Sequence, residues 1–333
     1  MKYREFGRTG IEVSELVFGG GAVGGILVHA DDDTKLEALR RALAGGINWV
    51  DTAPLYGQGR SETALGWLLD EVEETPYLST KVQIDIGELS DIPGQIERSL
   101  EASFERLKRD SVELLQLHNP IHGETGGGVS IASGGAIGLD AVLGKGGVVE
   151  GLERMRAQGL TRYIGLTALG EAGAICEAVR SGRFDSAQVY YNMINPTAAR
   201  ALPEGFSGHD FSGVIAACKA VGAAVMNIRV LAGGALPTDK RHGREAVIVQ
   251  GSELPLEEKR AHAVYERLGD SYGTRAQTAL RFGLANPDLA CVVFGLAELS
   301  HLDEALAAAE MGPLPQAALD QLNTTYAAEF GRL

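Results

Sequence analysis

Short apolar runs alternate along this chain with longer stretches in which apolar residues recur at every third or fourth position. Leu36, Leu39 and Leu43 share one helix face and are followed by a pair of glycines, which is typical of a helix end. The continuous runs indicate strands buried on both faces. Eight runs predict strands: Leu16–Phe18, Trp49–Asp51, Tyr77–Lys81, Val112–His118, Tyr163–Thr167, Ser186–Tyr190, Ala223–Ile228 and Cys291–Phe294.

The alternation of strand and helix predicts one (β/α)8 barrel of the TIM type. No linker interrupts the eight units, so we expect a single domain over residues 1–333. Two further short segments, Tyr3–Phe6 and Ile11–Val13, come first and are joined across Gly7 and Gly10. They predict an N-terminal β-hairpin that plugs the floor of the barrel.

Composition and charge narrow the class of protein. The chain has 333 residues, 45% of them hydrophobic, and a formal net charge of -14, which argues against a nucleic acid or an anionic membrane as partner. The N-terminus lacks an apolar signal core, no run approaches about 18 apolar residues, and the three cysteines have no paired spacing. We therefore expect a cytoplasmic protein that acts on a small molecule, with its oligomeric state open.

Four polar residues of complementary chemistry stand at the predicted strand ends. Asp51, Lys81 and His118 each close a strand, and Tyr56 follows Asp51 in a loop marked by proline and glycine. Taken singly, a residue of any of these types is more often a turn, cap or solvent-exposed strand-end residue than a catalytic one. Together, at the one mouth where a parallel barrel gathers its strand ends, they predict a catalytic set.

The chemistry of the set is that of assisted proton transfer. A tyrosine has a reference pKa of about 10 and needs help near neutrality. A lysine ammonium about 4 Å away contributes roughly 4 kcal/mol at an effective dielectric of about 20, or about 3 pK units. Asp51 would keep Lys81 in place and charged, and His118 would donate a hydrogen bond to the substrate oxygen. Tyr56 is then the expected general acid or base.

This order of Asp, Tyr, Lys and His, with Asp-Thr-Ala-x-x-Tyr-Gly around the first pair, closely resembles the aldo-keto reductases over nearly the whole chain. The resemblance implies a nicotinamide dinucleotide, NAD(P)(H), lying across the barrel mouth. It also implies an enzyme that transfers a hydride between the cofactor and an aldehyde, a ketone or a sugar lactol or alcohol. Substrate contacts are expected from Tyr56, His118 and Asn119.

The resemblance also points to the cofactor site. Thr167 and Gln188 match positions that hold the nicotinamide amide, and Val225–Gly234 aligns with the seventh strand and the pyrophosphate loop. Ile228 stands where an aromatic residue usually stacks on the nicotinamide, and Arg229 replaces a serine. The full expected set is Gly20, Gly21, Asp51, Thr167, Gln188, Asn227, Ile228, Arg229, Leu231, Gly233, Gly295, Ala297, Glu298 and His301.

The adenosine end of the expected site lacks fixed cations. Members that prefer NADP carry Lys or Arg in the turn after strand eight and in the next helix. The matching positions here are Gly295, Ala297 and His301, and Glu298 adds a negative charge. A dianionic 2′-phosphate gains little at such a site, so the sequence leans toward NAD(H).

Other interpretations fit parts of the sequence. Gly19–Gly24 fits the G-x-G-x-x-G fingerprint, but Ile26–Val28 and an acidic run precede the first helical period, whereas a Rossmann helix begins within the glycines. His118 and His122 are separated by Pro120, which opposes a helical metal site, so no metal is expected. A nucleotide-sensing regulatory subunit, and a barrel lyase using Lys81 as a Schiff-base amine, stay open.

Two long connections follow predicted strands at the mouth. In Gly123–Gly147, 10 of 25 residues are glycine, and the segment comes directly after His118-Asn119-Pro120. Its position predicts either a substrate lid or a surface loop without a role. The second connection, roughly Pro237–Pro255, could close over the cofactor.

Overall fold

Eight parallel strands close into a barrel in the computed structural model, which describes residues 1–126, 135–201, 206–241, 243–245, 248 and 251–332. The predicted barrel is confirmed, and its strands are β3 (Leu16–Gly19), β4 (Trp49–Asp51), β5 (Tyr77–Val82), β6 (Val112–Leu117), β9 (Thr161–Ala168), β10 (Ser186–Tyr190), β11 (Ala224–Ile228) and β12 (Cys291–Gly295). Pairing of β12 with β3 completes the ring. The other described strands are β1 (Tyr3–Glu5), β2 (Glu12–Ser14), β7 (Ile121–His122) and β8 (Ile137–Gly138).

Helices lie between the barrel strands, and side-chain caps begin several of them. The Asp31 carboxylate accepts from the Thr34 amide, and Thr274 forms a reciprocal capping box with Gln277. The described helices are α1 (Ile26–His29), α2 (Asp32–Ala44), α3 (Arg60–Leu68), α4 (Ile92–Leu107), α5 (Leu139–Leu143), α6 (Val148–Ala157), α7 (Ala172–Arg180), α8 (Val214–Val221), α9 (Leu254–Leu268), α10 (Arg275–Leu284), α11 (Leu299–Met311), α12 (Gln316–Ala327) and α13 (Glu329–Arg332).

The antiparallel hairpin of β1 and β2 covers the floor of the barrel, as predicted. Phe6, between its strands, is fully buried, with its ring centre 4.7 Å from that of Trp49. From the barrel wall, the Tyr163 hydroxyl donates to the Thr9 carbonyl at 2.8 Å. The hairpin therefore leaves the opposite end of the barrel as the open mouth.

The barrel interior changes from apolar to polar between floor and mouth. Near the hairpin, Trp49, Leu114 and Met226 belong to one buried apolar cluster. Two positions further along β4 and β6, the inward residues are polar, namely Asp51 and Gln116. The strand period of two thus places the buried polar groups together at the mouth.

The glycine run after β3 serves close packing between two loops. A side chain on Gly24 would lie 2.5 Å from the Leu296 amide nitrogen, in the loop after β12, and the Ile26 amide donates to the Leu296 carbonyl at 3.1 Å. The expectation that Ile26–Val28 precede any helix was wrong, because they form the one-turn helix α1. The barrel nevertheless excludes a Rossmann turn here.

The glycine-rich connection after β6 is described at both of its ends. Ile121–His122 pairs in parallel with Ile137–Gly138, and the Gly126 amide donates to the Ala136 carbonyl at 3.0 Å. The centre of the predicted lid, residues 127–134, lies outside the described residues. The helices α12 and α13 at the carboxyl end were not predicted.

Candidate active site

The Asp51 carboxylate is the centre of a buried hydrogen-bond cluster at the end of β4. Its Oδ2 accepts from Lys81 Nζ at 2.7 Å, and its Oδ1 accepts from Ser79 Oγ at 2.7 Å, Gln188 Nε2 at 2.8 Å and Gln116 Nε2 at 3.2 Å. Asp51 is 3% exposed and Lys81 is 0% exposed. A buried charge pair is tolerated here because both carboxylate oxygens have donors.

Lys81 carries a fixed positive charge directly beside Tyr56. Burial alone would lower the pKa of Lys81, but the charges of Asp51 and Tyr56 oppose it, and the pKa is raised overall. Lys81 also donates to the Thr52 carbonyl at 2.8 Å, and its Nζ lies 4.8 Å from the centre of the Tyr56 ring. The ammonium is thus anchored on one side by Asp51 and Thr52 and faces the phenol ring on the other.

His118 completes the group of four. Its ring centre is 5.8 Å from that of Tyr56, with the planes at 85°. Burial and the charge of Lys81 lower the pKa of His118 to about 3, so the imidazole is neutral at physiological pH. Its Nδ1 is buried and has no hydrogen-bond partner in the described part of the chain. The structure therefore brings all four predicted catalytic residues together.

Ser79 and Gln116 were missed by the sequence reasoning, although both support Asp51. They occupy inward positions two residues before Lys81 and His118 on their strands. The alternation of β5 and β6 was the available signal, because every second residue of a barrel strand faces the interior.

The inward polar groups near Tyr56 fit the amide end of a nicotinamide dinucleotide. The Thr167 Oγ1 atom is buried and no described residue hydrogen-bonds to it, so a donor and acceptor is available there. Gln188, the register partner of Thr167, donates to Asp51. A side chain on Gly21 would lie 3.9 Å from Tyr56 Cζ, whereas one on Gly20 would meet Ser61 Oγ at 2.6 Å. Gly21 therefore leaves space beside the phenol.

The loop after β11 holds three of the expected cofactor positions, Arg229, Leu231 and Gly233, and its backbone is unusual. Ile228 ends the strand, half-buried, and Leu231 precedes a short 3-10 turn over Ala232–Gly234. Ala232 and Gly233 have φ values of 48° and 62°. Left-handed residues of this kind turn successive amides into a concave, anion-accepting backbone.

Arg229 opens this loop with a φ of 60°, which is rare for a residue with a side chain. The Asn192 amide donates to its carbonyl at 3.0 Å and supports this conformation. Burial lowers the pKa of the guanidinium, and the nearby charges of Tyr190, Tyr56 and Glu257 oppose the shift. The Arg229 charge thus lies at the mouth, close to Tyr56.

Two residues that were predicted to contact a ligand make buried hydrogen bonds to the main chain in this structure. Asn227 is 0% exposed and lies between β11 and α10, where a side chain on Gly283 would approach its Oδ1 at 3.0 Å. Its amide donates to the Tyr191 carbonyl at 2.8 Å, among others. Asn119 is also fully buried. Its Oδ1 accepts from the Ile84 amide at 2.7 Å, and its Nδ2 donates to the Ile84 carbonyl at 2.9 Å. In this structure both amides hold the mouth loops in place, and their contact with a ligand stays a prediction.

The expected adenosine end follows β12. Gly295 is exposed at the strand end, and the Ala297 amide donates to His301 Nδ1 at 3.2 Å. Glu298 precedes α11 with its side chain exposed and accepts from Ser300 Oγ at 3.5 Å. These positions surround the first turn of α11 without contributing a lysine or arginine.

Two arginines near α1 were not anticipated. Burial and then the charges of Arg244 and Arg60 lower the pKa of His29 at the end of α1. Arg60 donates to the Gly57 carbonyl at 3.0 Å, one residue after Tyr56. Arg244 belongs to the second long connection, and the neighbouring Glu245 approaches Gly234. The described part of this connection thus folds back over the loop after β11 and brings a cation toward the mouth.

Comparison with known proteins agrees with this geometry. The model of the Aldo/keto reductase family matches residues 15–327. The chain belongs to this family. L-galactose dehydrogenase of Arabidopsis thaliana is 26% identical over 315 residues, covering 92% of this chain and 88% of that protein. D-threo-aldose 1-dehydrogenase of a Pseudomonas species is 27% identical over 237 residues, covering 63% and 66%.

Among solved structures, the aldo-keto reductase AKR11C1 from Bacillus halodurans, in its holo form, superimposes with a TM-score of 0.73. The alignment covers 98% of this chain and 97% of that one at 22% identity, which is a likeness of fold. The family and its dehydrogenase relatives identify this aldo-keto reductase as an NAD(P)-dependent oxidoreductase, as predicted.

The two alternative functions are not favoured. A Schiff base requires a neutral amine, whereas Lys81 is ion-paired and its pKa is raised. A regulatory subunit would not need the complete group of four.

Among the described residues, no helix combines the length and the apolar character that a membrane span requires.

Proposed function

We propose that this aldo-keto reductase interconverts a carbonyl and an alcohol, with Tyr56 moving the proton. The observation that carries the proposal is the buried Lys81, paired with Asp51 and lying beside the Tyr56 ring next to a neutral His118. When bound, the nicotinamide supplies or accepts the hydride. Tyr56 protonates the substrate oxygen in reduction and removes its proton in oxidation, because the ammonium stabilises the phenolate.

His118 would orient the substrate oxygen. A neutral imidazole can donate one hydrogen bond without adding a charge to the site. Thr167 and Gln188 are proposed to meet the nicotinamide amide, and Arg229 with the loop through Gly233 to meet the phosphates. The polar groups that this assignment uses are buried or half-buried at one end of the barrel.

A sugar lactol or hydroxy-aldehyde is the proposed substrate class. Two relatives are by name a galactose and an aldose dehydrogenase, and a mouth with several hydroxyl and amide groups suits a polyhydroxylated ligand. The further expectations are a single domain over residues 1–333, a cytoplasmic location and no nucleic-acid partner, the last from the net charge of -14.

Replacing Tyr56 by phenylalanine tests the mechanism. We expect Tyr56→Phe to keep the nucleotide Kd within a few-fold and to lower kcat by at least ~10²-fold, because a general acid or base is lost and the ring stays. Nucleotide titration and initial rates at 340 nm measure the two quantities. Near-wild-type turnover in the purified variant would remove Tyr56 from the mechanism.

Cofactor preference is the second proposal, and it leans toward NAD(H). Glu298 and the residues around the first turn of α11 offer no cation to a 2′-phosphate, so Kd values at one salt concentration should favour NAD(H) or show little discrimination. Glu298→Arg should move the preference toward NADP(H). A wild-type preference for NADP(H) above ~10-fold would contradict the proposal, and Arg244→Gln would then show whether the second long connection supplies the missing cation.

A further inference from the structure

A second cavity lies outside the barrel, between the loop after β10, α10 and α12. Its volume is about 190 Å³, below the ~300–1,000 Å³ of most small-molecule sites. The cavity is therefore too small for a dinucleotide or an oligosaccharide, which limits its ligands to those of about one ring. The aldo-keto reductase reaction makes no use of this cavity.

The base of the cavity is aromatic. Tyr191 and Phe282 stack with ring centres 4.9 Å apart and planes at 21°. Tyr326 and Leu322, from α12, are 2% and 1% exposed and complete the floor. Flat apolar walls of this kind favour a planar ring, which can stack or meet the edges of the aromatic side chains.

The rim of the cavity is polar and carries one positive charge. Arg200 is exposed, lies 5.1 Å above the Tyr326 ring and donates to the Asn323 side chain. Gln316, also at the rim, donates to Asp320 at 2.9 Å. One guanidinium can balance a single negative charge, whereas a phosphate dianion would lack a second cation.

Tyr326 supplies an independent indication of a ligand. Its hydroxyl is buried, and no hydrogen-bond partner for it exists among the described residues. A buried unpaired hydroxyl costs free energy, and such groups in native proteins commonly have a bound partner. Tyr326 is one of the residues that line the cavity, so we infer that a polar substituent on a bound ring is the partner of this hydroxyl.

We propose that this cavity is a binding site for a monocyclic carboxylic acid, with the carboxylate on Arg200 and the ring on Tyr191 and Phe282. Tyr191 also donates its amide to the Ile228 carbonyl at 3.3 Å, which connects the cavity to the end of β11. The site is separate from the mouth, so it binds its ligand with or without nucleotide.

Benzoate titration of the full-length protein tests this site, using ligand-observed NMR or calorimetry. We expect a Kd in the millimolar range, weakened at least ~10-fold by Arg200→Gln, because a charge-assisted hydrogen bond is lost. For 4-hydroxybenzoate, Tyr326→Phe should weaken binding about 3-fold. Arg162→Gln is the matched control, since Arg162 is also exposed and lies 5.5 Å from a tyrosine ring, at the barrel floor; it should bind as the wild type does.

Two further measurements distinguish binding in this cavity from binding at the active site. Benzoate binding should persist at saturating NAD and in Tyr56→Phe, and benzyl alcohol, which lacks the charge, should bind at least ~10-fold more weakly. Loss of binding in Tyr56→Phe with retention in Arg200→Gln would place the acid at the mouth and overturn the proposal. Absence of benzoate binding to the wild type at about 20 mM, roughly 20-fold above a Kd of about 1 mM, would overturn it as well.

Discussion

His118 makes the stability of the protein depend on pH. Its pKa is about 3 in the folded protein, from burial and the Lys81 charge, against about 6.5 in an unfolded chain. The unfolded state therefore binds the proton first as pH falls, and the protein loses stability from about pH 6.5 down to pH 3. At pH 7 this stabilising difference is fully present.

We predict that His118→Asn removes part of this acid sensitivity. Urea unfolding at pH 7 and pH 4.5 should show a stability difference smaller than in the wild type by roughly 1 to 2.5 kcal/mol. Two pH units at about 1.36 kcal/mol each set the upper limit, which is discounted for partial exposure. His301→Asn, an exposed histidine on α11, should keep the wild-type difference. Equal differences in all three proteins would show that His118 titrates normally.

The proximity of Asp51, Tyr56, Lys81 and His118 was predictable because each one ends a strand or follows one closely. A closed parallel barrel brings those ends together whatever the details of packing. Asn227 was less predictable, because one step along a strand reverses the face, and Asn227 lies between the inward residues Met226 and Ile228. Alignment without a gap indicated the position but not the side on which the amide points.

At the scale of elements, the first and last βα loops form one packed unit. Gly24 meets the Leu296 main chain, and a side chain on Gly57 would lie 2.5 Å from Val28 of α1. The loop that carries Tyr56 is thus packed on α1, and α1 on the loop after β12. The loops can approach so closely because glycine has no side chain. In the sequence the same glycines appeared only as a run that fits the G-x-G-x-x-G fingerprint.

Gly24→Ala tests this packing. The added methyl group has to displace main chain, so we expect a loss of roughly 1 to 3 kcal/mol in the free energy of unfolding. Gly173→Ala is the control, because a methyl group at this position on α7 would have no other atom within 4 Å, and it should be neutral or stabilising by about 0.5 to 1 kcal/mol. Unfolding of both variants in urea gives the comparison, and equal stability would show that the two loops separate at no cost.

At the scale of the whole molecule, the N-terminal hairpin closes the barrel floor and should contribute stability without touching the reaction. Phe6→Ala removes a fully buried ring that packs on Trp49, so a loss of about 3 to 5 kcal/mol is expected. Tyr3→Ala, at a position 47% exposed, should cost far less. At a temperature where Phe6→Ala is folded, its KM and kcat should match the wild type; a selective fall in kcat would contradict this separation.

The hairpin, the barrel and its order of strands followed from hydrophobic period and short turns alone. The connections could not be predicted to the same degree, because their conformations depend on tertiary contacts. Arg244 is an example: its approach to His29 joins distant parts of the chain. The connection Gly123–Gly147, predicted to be a substrate lid or a surface loop, has glycine at 10 of 25 positions, so its sequence contained little information about packing.

The carboxylate of Asp51 also joins strands from opposite sides of the barrel. Its donors come from β5, β6 and β10, and β10 is separated from β4 by three strands in the ring. The same carboxylate therefore serves both stability and the proposed chemistry. Removing Asp51 would leave Lys81 buried without its ion-pair partner and lower the free energy of unfolding by about 3 to 5 kcal/mol. An inactive Asp51 variant would report on folding and catalysis together. Tyr56 lies on a loop, is half-buried, and takes no part in the hydrogen bonds to Asp51. A substitution at Tyr56 should therefore change the reaction with little effect on the stability of the barrel.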